Sequence, residues 1–198
     1  MITDKTMLFC IGAQKAGTSW LYTLLAAHPE CHMPVKEVHY FDTVVDAKRA
    51  GAVFKRRNAK AEKVKARAAA QKGQKTPERL TTISDHMALL ERSESNTGDD
   101  SDYLIFLLKG GDAQPVIGDI TPAYATLTRT EFARMNQLSP NAKFLFLMRD
   151  PIDRLWSEVR MSAQKTEKRV GKGKEEASDE VYLRRCLKRL DKAISEGH

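Results

Sequence analysis

A short glycine-bearing segment near the start of the chain has the composition of an anion-binding turn. It reads Gly12-Ala13-Gln14-Lys15-Ala16-Gly17-Thr18-Ser19 and lies between an apolar run and a helical pattern. A turn at this place directs backbone N–H groups and the positive end of the helix towards one point, and Lys15, Thr18 and Ser19 add one charge and two hydroxyls. We therefore predict phosphate binding. A nucleoside triphosphatase loop would carry lysine directly after the second glycine, where this chain has Thr18; a merely structural glycine turn is the other alternative.

Three later segments extend this pattern. They read Pro34-Val35-Lys36-Glu37-Val38-His39-Tyr40-Phe41-Asp42, Gly118-Asp119-Ile120-Thr121-Pro122-Ala123-Tyr124 and Arg149-Asp150-Pro151-Ile152-Asp153-Arg154-Leu155-Trp156-Ser157. Together with the first segment, its Trp- and Leu-containing helix and His28-Pro29, they resemble the sulfotransferase family, in its bacterial and glycan-sulfating branches. The four motifs stand in the family's order over residues 7 to 162.

The resemblance implies a donor, 3′-phosphoadenosine 5′-phosphosulfate (PAPS), and leaves 3′-phosphoadenosine 5′-phosphate as product. Two anion sites are then needed. The 5′-phosphosulfate would lie in the loop of Gly12, Gln14, Lys15, Ala16, Gly17, Thr18 and Ser19, where Lys15 would bond the oxygen between phosphorus and sulfur and offset charge that grows in the transition state. Arg149 would grip the 3′-phosphate through its fork of N–H donors, with Ser157 adding a hydroxyl. An exposed, salt-bridging arginine is the alternative for Arg149.

The acceptor must lose a proton as it attacks sulfur, and the resemblance assigns the general base to Glu37. A solvated loop glutamate is the plain alternative. His39 is a competing base or an orienting partner, because imidazole titrates near neutrality. Lys36 would hold charge on the sulfuryl oxygens. The resemblance places Asp42, Thr121 and Tyr124 at the acceptor, whereas Tyr40 and Phe41 are expected in the core. No metal is expected.

Strands alternating with helices must position these groups. Apolar runs predict strands at Met7 to Gly12, Pro115 to Ile120 and Lys143 to Met148. Helical periodicity follows Gly17, and this helix has Trp20, Leu21, Leu24 and Leu25 on one face. Further helices are predicted at Tyr103 to Leu108 and at Thr128 to Leu138. Asp150 is the expected cap of another helix, whose apolar stripe is made by Ile152, Leu155, Trp156 and Val159. A last helix is expected to begin at Ser178 and to bury Val181, Leu187, Leu190 and Ile194. This alternation predicts a three-layer, P-loop-like α/β fold with a central parallel sheet flanked by helices and ligands at the carboxyl ends of its strands.

The bulk properties set the class of protein. With 198 residues and 41% hydrophobic residues the chain suits a single domain, and no apolar window is long enough to span a membrane. The scattered cysteines Cys10, Cys31 and Cys186 suit no zinc or disulfide pattern, so we expect a cytoplasmic protein. The segment Ile194 to His198 resembles one that further helices normally follow in the family. This implies that the domain at 1–198 lacks a C-terminal part and is weakly active by itself.

The net charge of +7 comes from one segment, because eleven basic residues and one acidic residue lie between Lys48 and Lys75. We interpret residues 48–75 as a basic helical insertion, either a solvated helix or a docking patch for an anionic acceptor or partner. Two other functions remain open. One is a P-loop phosphotransferase of the kinase type, and the other is a non-catalytic polyanion-binding module, for which base stacking is not indicated. The acceptor itself, a carbohydrate or a small molecule with a hydroxyl or amine, is not specified by the sequence.

Overall fold

The apolar run near the start of the chain forms an inner strand of a parallel sheet in the computed structural model. Thr6–Gly12 (β1) pairs in parallel with Val116–Ile120 (β3) on one side and with Ala142–Phe146 (β4) on the other, while Cys31–His32 (β2) pairs with β3. The order is β2-β3-β1-β4. The three predicted strands are therefore confirmed, and the third ends earlier than expected, since Met148 lies beyond β4 and is 87% exposed.

The structure describes residues 4–70, 76–93 and 100–170, with scattered positions between 180 and 195. These fall into two units, Met1–Leu147 and Met148–His198. The helices of the described ranges are Thr18–Ala26 (α1), Tyr40–Val44 (α2), Ala47–Ala70 (α3), Thr76–Ser93 (α4), Ser101–Leu108 (α5), Arg129–Gln137 (α6) and Pro151–Val170 (α7). Pro122–Thr126 forms a 3₁₀ helix. No helix of the described part has the length and apolar character required to cross a membrane.

Alternate residues of β1 face two separate apolar clusters, as the period of a strand requires. Met7 and Phe9 join the larger cluster with side chains from α2, α4, α5 and α6, among them Phe41, Leu89, Tyr103, Phe106 and Met135. Leu8 and Cys10 lie in a smaller cluster with Leu21, Tyr22 and Leu25 of α1. Helices therefore cover both faces of the sheet, and the predicted three-layer α/β architecture is confirmed.

The local signals for helix ends are also confirmed. The Thr128 hydroxyl accepts a hydrogen bond from Thr130 N at 3.3 Å, and the Thr128 amide donates to Glu131 Oε2 at 2.8 Å, which together form a capping box for α6. Asp150 Oδ1 accepts from the amides of Ile152 and Asp153 at 2.9 and 3.0 Å and so caps α7. The basic helix predicted at 48–75 is α3 over residues 47–70; residues 71–75 and Ser178 lie outside the described part.

Three expectations about buried faces are wrong. In α1 only Leu21 and Leu25 pack inwards, whereas Trp20 and Leu24 are 68% and 51% exposed, because the side of α1 that meets the sheet is centred about 100° further round the helix. In α7 Val159 is buried but Ile152 and Leu155 are exposed. Val181 and Leu187 are also exposed, so the predicted inward stripe of the last helix is not formed at its described positions; Leu190 and Ile194 lie outside them.

A matched pair of substitutions tests the larger cluster. Leu89 of α4 is 0% exposed and Ile105 of α5 is 66% exposed. Leu89→Ala should lower the free energy of unfolding by about 2–5 kcal/mol, because it removes buried methyl groups and leaves a cavity. Ile105→Ala should change it by no more than about 0.5 kcal/mol. Urea unfolding of the two variants measures the difference, and equal losses would show that α4 does not pack as described.

Candidate functional site

The predicted anion loop lies where β1 ends and α1 begins. Gly17 has φ 99° and Lys15 φ 66°, so the chain turns through the left-handed region twice before Thr18 starts the helix. A Cβ at Gly17 would meet no atom within 4 Å, so it is the backbone angle and not a lack of space that favours glycine there. The first N–H groups of α1 have no partner within the helix and point out of its N-terminus. Gln14 and Ser19 are exposed, Lys15 and Ala16 half-buried and Thr18 buried.

A chain of alternating charges runs along the segment from Lys36 to Arg49. Lys36 Nζ lies 2.8 Å from Glu37 Oε1, His39 Nε2 lies 3.7 Å from Glu37 Oε2, and His39 Nδ1 lies 2.8 Å from Asp42 Oδ2. Arg49 Nη1 follows at 3.4 Å from Asp42 Oδ2. Asp42 is completely buried and His39 nearly so, while the Glu37 side chain is 35% exposed. Of the two carboxylates in this row of charged side chains, Glu37 is therefore the one that an incoming molecule can reach.

The charges of these neighbouring side chains shift one another's pKa values. The neighbouring His39 imidazole, together with Lys36, holds the pKa of Glu37 well below its ordinary value, against the effect of burial. For His39, burial lowers the pKa, but the carboxylates of Asp42 and Glu37 together outweigh burial and raise it above 6.5. The cationic form of His39 and the anionic form of Glu37 therefore stabilise each other. A cationic imidazole has no free electron pair for a proton.

The backbone is strained at the residues with predicted chemical roles. In the described part of the chain, the non-glycine residues with positive φ are Lys15, Glu37 and His39, at 66°, 60° and 59°. Each such residue costs about 1–3 kcal/mol and persists only where its surroundings hold it in place. Backbone strain of this kind concentrates at functional sites.

A buried carboxylate, Asp119 at the end of β3, organises the turn behind this segment. Its oxygens accept hydrogen bonds from the hydroxyls of Thr121, Tyr124 and Tyr103 at 2.6, 2.8 and 2.9 Å. Burial raises the pKa of Asp119, and these three donors oppose the rise. Thr121 and Tyr124, the expected acceptor-contacting residues, are both 0% exposed with their hydroxyls bonded to Asp119. The same two hydroxyls accept hydrogen bonds from the amides of His39 and Tyr40, at 3.4 and 3.0 Å, and so support the backbone of the Glu37 segment. Tyr40 and Phe41 are 1% exposed, which confirms their core role.

Four residues of the site were missed by sequence reasoning. They are Asp119, Arg49, Arg57 and His86. Arg57 of α3 donates from Nη2 to the carbonyls of Lys36, at 2.7 Å, and of Glu37. His86 of α4 lies 2.7 Å from the Val38 carbonyl. The spacing of two of them along their helices was a usable signal. Arg57 falls on the buried stripe of α3 with Ala50, Val53 and Ala61, and His86 falls on the buried stripe of α4 with Ile83 and Leu90. A polar residue on an apolar helical face needs a buried partner.

Arg149 and Ser157, the residues predicted to bind the 3′-phosphate, both lie in the second unit. Arg149 is an exposed residue before α7, with Nη2 3.8 Å from Asp153 Oδ2, and Ser157 is half-buried on α7. Arg149 thus has the surface ion pair that the alternative interpretation expected. Among the described residues, no group of three or more His, Cys, Asp and Glu side chains is placed to hold a metal ion.

The anion loop and the Glu37 segment meet at one edge of the sheet. The Glu37 amide donates to the carbonyl of Ile120, the last residue of β3, at 3.0 Å, and Thr121 N donates to Cys10 O at 3.1 Å. Lys15 follows the carboxyl end of β1, and Glu37 is bonded to the carboxyl end of β3, which is the parallel neighbour of β1. This is the edge where open α/β sheets bind ligands.

Residues 8–196 match the model of the sulfotransferase family. The chain belongs to this family. Comparison with curated proteins and with solved structures gives no significant match. The match covers nearly the whole chain and includes all four segments described above, and it confirms the family that they resemble. In this sulfotransferase the Gly12–Ser19 loop and the Glu37 segment are therefore the first places at which to seek sulfuryl transfer.

The pairing of His39 with two carboxylates predicts a pH-dependent stability. Because the pKa of His39 is higher in the folded protein than its ordinary 6.5, its contribution is complete below that pH and is lost as pH rises through the folded value. The free energy of unfolding of the wild type should therefore exceed that of His39→Gln most below pH 6.5, and the excess should shrink as the pH rises above that value. Glu37, whose pKa is lowered, titrates below this range. Denaturant unfolding at several pH values measures the difference, and a constant excess would contradict the assigned charge state.

Proposed function

We propose that this protein transfers a sulfuryl group from PAPS to a hydroxyl or amine of an acceptor, with Glu37 as general base. The observation that carries the proposal is the placement of Glu37, ionised and partly exposed beside buried His39, at the same sheet edge as the Lys15 loop. Membership of the sulfotransferase family supports the reaction class. The proposal goes beyond the reaction class in naming the donor and the roles of individual residues.

The donor would lie with its 5′-phosphosulfate against the loop from Gly12 to Ser19. The turn at Gly17 aims the α1 N-terminus at the phosphate, and Lys15 supplies a positive charge beside the bridging oxygen. Gln14, Ala16, Thr18 and Ser19 complete the loop. Arg149 and Ser157 are proposed to bind the 3′-phosphate, for which the guanidinium fork is the suitable group.

In the transfer step the acceptor oxygen or nitrogen forms a bond to sulfur while the bond from sulfur to the bridging oxygen breaks. The acceptor's proton passes to Glu37, and the electron pair of the breaking bond stays on the departing 5′-phosphate, next to Lys15. Lys36, 2.8 Å from Glu37 in this structure, is proposed to turn towards the sulfuryl oxygens when donor is bound. Loss of that cation from Glu37 would raise the basicity of the carboxylate when a base is needed.

Glu37 is preferred to His39 as the base because of the surroundings of the imidazole. His39 lies between two carboxylates, and this position favours its cationic form. In the proposed mechanism His39 orients Glu37 and is itself oriented by Asp42.

The exposed face of α3 favours an anionic acceptor. Lys48, Lys55, Arg56 and Lys63 are all exposed on this helix, whose first turns also carry Arg49 next to Asp42. Because Arg57 of the same helix binds the Glu37 segment, the cations on the exposed face of α3 would concentrate an acceptor bearing carboxylate or sulfate groups near the site. We propose such a carbohydrate or small molecule as the substrate class.

Two substitutions separate chemistry from donor binding. Glu37→Gln keeps the side-chain shape but cannot accept a proton, so transfer should slow about 10²- to 10⁴-fold. Its donor affinity should barely change, since that is assigned to the other loop. Lys15→Ala should weaken donor binding and slow transfer together, because its charge faces the phosphosulfate both before and during the reaction. Calorimetry with 3′-phosphoadenosine 5′-phosphate measures the affinity for the donor nucleotide, and transfer of labelled sulfate measures the rate. Both measurements use a preparation of established activity.

The same assay distinguishes the phosphotransferase alternative. Transfer should continue undiminished in chelator, because the described residues offer no metal site and a sulfuryl group carries less charge than a terminal phosphate. A strict requirement for magnesium would favour the kinase-type interpretation. Normal transfer by Glu37→Gln would make His39 the base, and loss of donor binding in that variant would overturn the assignment of roles to the two loops.

Charge removal on α3 tests the acceptor class. A triple variant, Lys55→Gln, Arg56→Gln and Lys63→Gln, should raise the KM for a sulfated or carboxylated acceptor about tenfold and leave kcat unchanged, since the helix acts on encounter and not on chemistry. The KM of the wild type should rise with salt, and that of the variant much less. Lys109→Gln, a cation on α5 already paired with Asp85, is the matched control. An unchanged KM in the triple variant would exclude α3 as the acceptor surface.

A further inference from the structure

Three consecutive backbone carbonyls in the Glu37 segment are bound by side chains from two helices. One terminal nitrogen of Arg57, on α3, donates to the carbonyl oxygens of Lys36, at 2.7 Å, and of Glu37. His86 Nε2, on α4, lies 2.7 Å from the carbonyl oxygen of Val38. Helices α3 and α4 pack against each other and both contact α2, which begins at Tyr40 directly after the segment.

The amides of the same segment are bound from the opposite direction. Glu37 N donates to Ile120 O and Tyr40 N to the Tyr124 hydroxyl, each at 3.0 Å, and His39 N lies 3.4 Å from the Thr121 hydroxyl. These acceptors belong to β3 and to the turn that follows it. The segment is thus held by its carbonyls from the helices and by its amides from the sheet, around the two positive φ angles of Glu37 and His39.

Arg57 and His86 are costly residues to bury. Arg57 is 9% exposed and His86 0% exposed, and burial of a polar or charged group is unfavourable unless it forms hydrogen bonds. Burial, with the nearby Arg57 charge, lowers the pKa of His86 to about 3, so the imidazole is neutral at working pH. It must then carry its proton on Nε2 in order to donate to Val38. Its Nδ1 has no hydrogen-bond partner among the described residues. Among the described residues, the Val38 carbonyl is therefore the hydrogen-bond partner of this buried imidazole, whose ring also stacks on Phe106.

We propose that Arg57 and His86 are positioning residues that hold the Lys36–His39 backbone with its positive φ angles at Glu37 and His39, and so keep Glu37 beside His39. The proposal rests on the proposed function only for its effect on catalysis. The conformational part stands by itself, because it concerns how this chain places its own side chains. It assigns to α3 a role inside the site, in addition to any role of its exposed basic face.

Substitution of the two side chains tests the conformational part. Arg57→Met removes the donors and keeps a similar length, and His86→Leu removes the donor and keeps the ring's approximate volume. His86→Gln retains an N–H close to the place of Nε2. The readout is the His39 ring signal in an NMR titration, assigned by its absence in His39→Gln. Arg57→Met and His86→Leu should lower the measured pKa of His39, because Glu37 moves away from it, and His86→Gln should restore the wild-type titration.

Kinetics test the catalytic part under conditions where circular dichroism shows each variant to be folded. Displacement of a base by about 1 Å can cost roughly 100-fold in rate, so Arg57→Met and His86→Leu should lower kcat by about 10- to 100-fold. His86→Gln should recover most of that loss. Donor affinity, measured by calorimetry with 3′-phosphoadenosine 5′-phosphate, should stay within about twofold of the wild type, since no residue of the Gly12–Ser19 loop is changed.

The outcomes separate the two proposals. If His39 titrates as in the wild type in both Arg57→Met and His86→Leu, and only the melting temperature falls, the helices merely stabilise the protein and the inference is wrong. If the wild type transfers no sulfuryl group but the His39 titration shifts as expected, the positioning role stands and the proposed function fails. If Arg57→Met does not fold, the His86→Leu and His86→Gln pair decides the question without it.

Discussion

The carboxylate of Asp119 is the interaction on which the arrangement of the site depends. It is completely buried, and its three hydrogen bonds come from hydroxyls on α5, on the residue after β3 and on the 3₁₀ helix. A buried charge without such donors would be destabilising, whereas hydrogen bonds to a charged group contribute about 1.5–3 kcal/mol each. Two of the donors then accept from the amides of His39 and Tyr40. One carboxylate therefore connects the sheet to the strained segment.

The strain at Glu37 and His39 is matched by hydrogen bonds from outside their segment. Left-handed residues with a Cβ are unfavourable, and a solvated loop would relax from them. The Glu37 segment cannot relax without breaking bonds to Arg57, His86, Ile120 and Tyr124. Such a segment presents Glu37 in one geometry before any substrate arrives. Preorganised charge of this kind contributes more to catalysis than charge that must reorient during the reaction.

The sequence predicted the parts of this structure that depend on local patterns. The apolar run of β1, the helix that begins near Thr128, the cap at Asp150 and the turn at Gly17 are read from neighbouring residues, and the structure has each of them. Contacts between distant residues were not predictable in the same way. Arg57 stands in a segment so rich in lysine and arginine that its place on the buried stripe was hidden, and α3 was interpreted from its charge alone. Thr121 and Tyr124 were located correctly in the turn, but only the folded chain shows their hydroxyls bonded to Asp119. The prediction that Trp20 and Leu24 face inwards was wrong because periodicity defines an apolar face but not the part of that face which meets the sheet.

The bonds that hold the Glu37 segment also have a consequence for the order of folding. Tyr40 and Tyr124 are 84 positions apart in the chain, and Val38 and His86 are 48 apart. Contacts that close such long loops carry a large entropic cost and form late, after the elements that they join have come together. The conformation of Glu37 is thus a product of the completed first unit rather than of any local peptide. An isolated peptide of residues 34–42 would lack it, and in the intact protein the bonded amide protons of Glu37 and Tyr40 would exchange with solvent only when these contacts open.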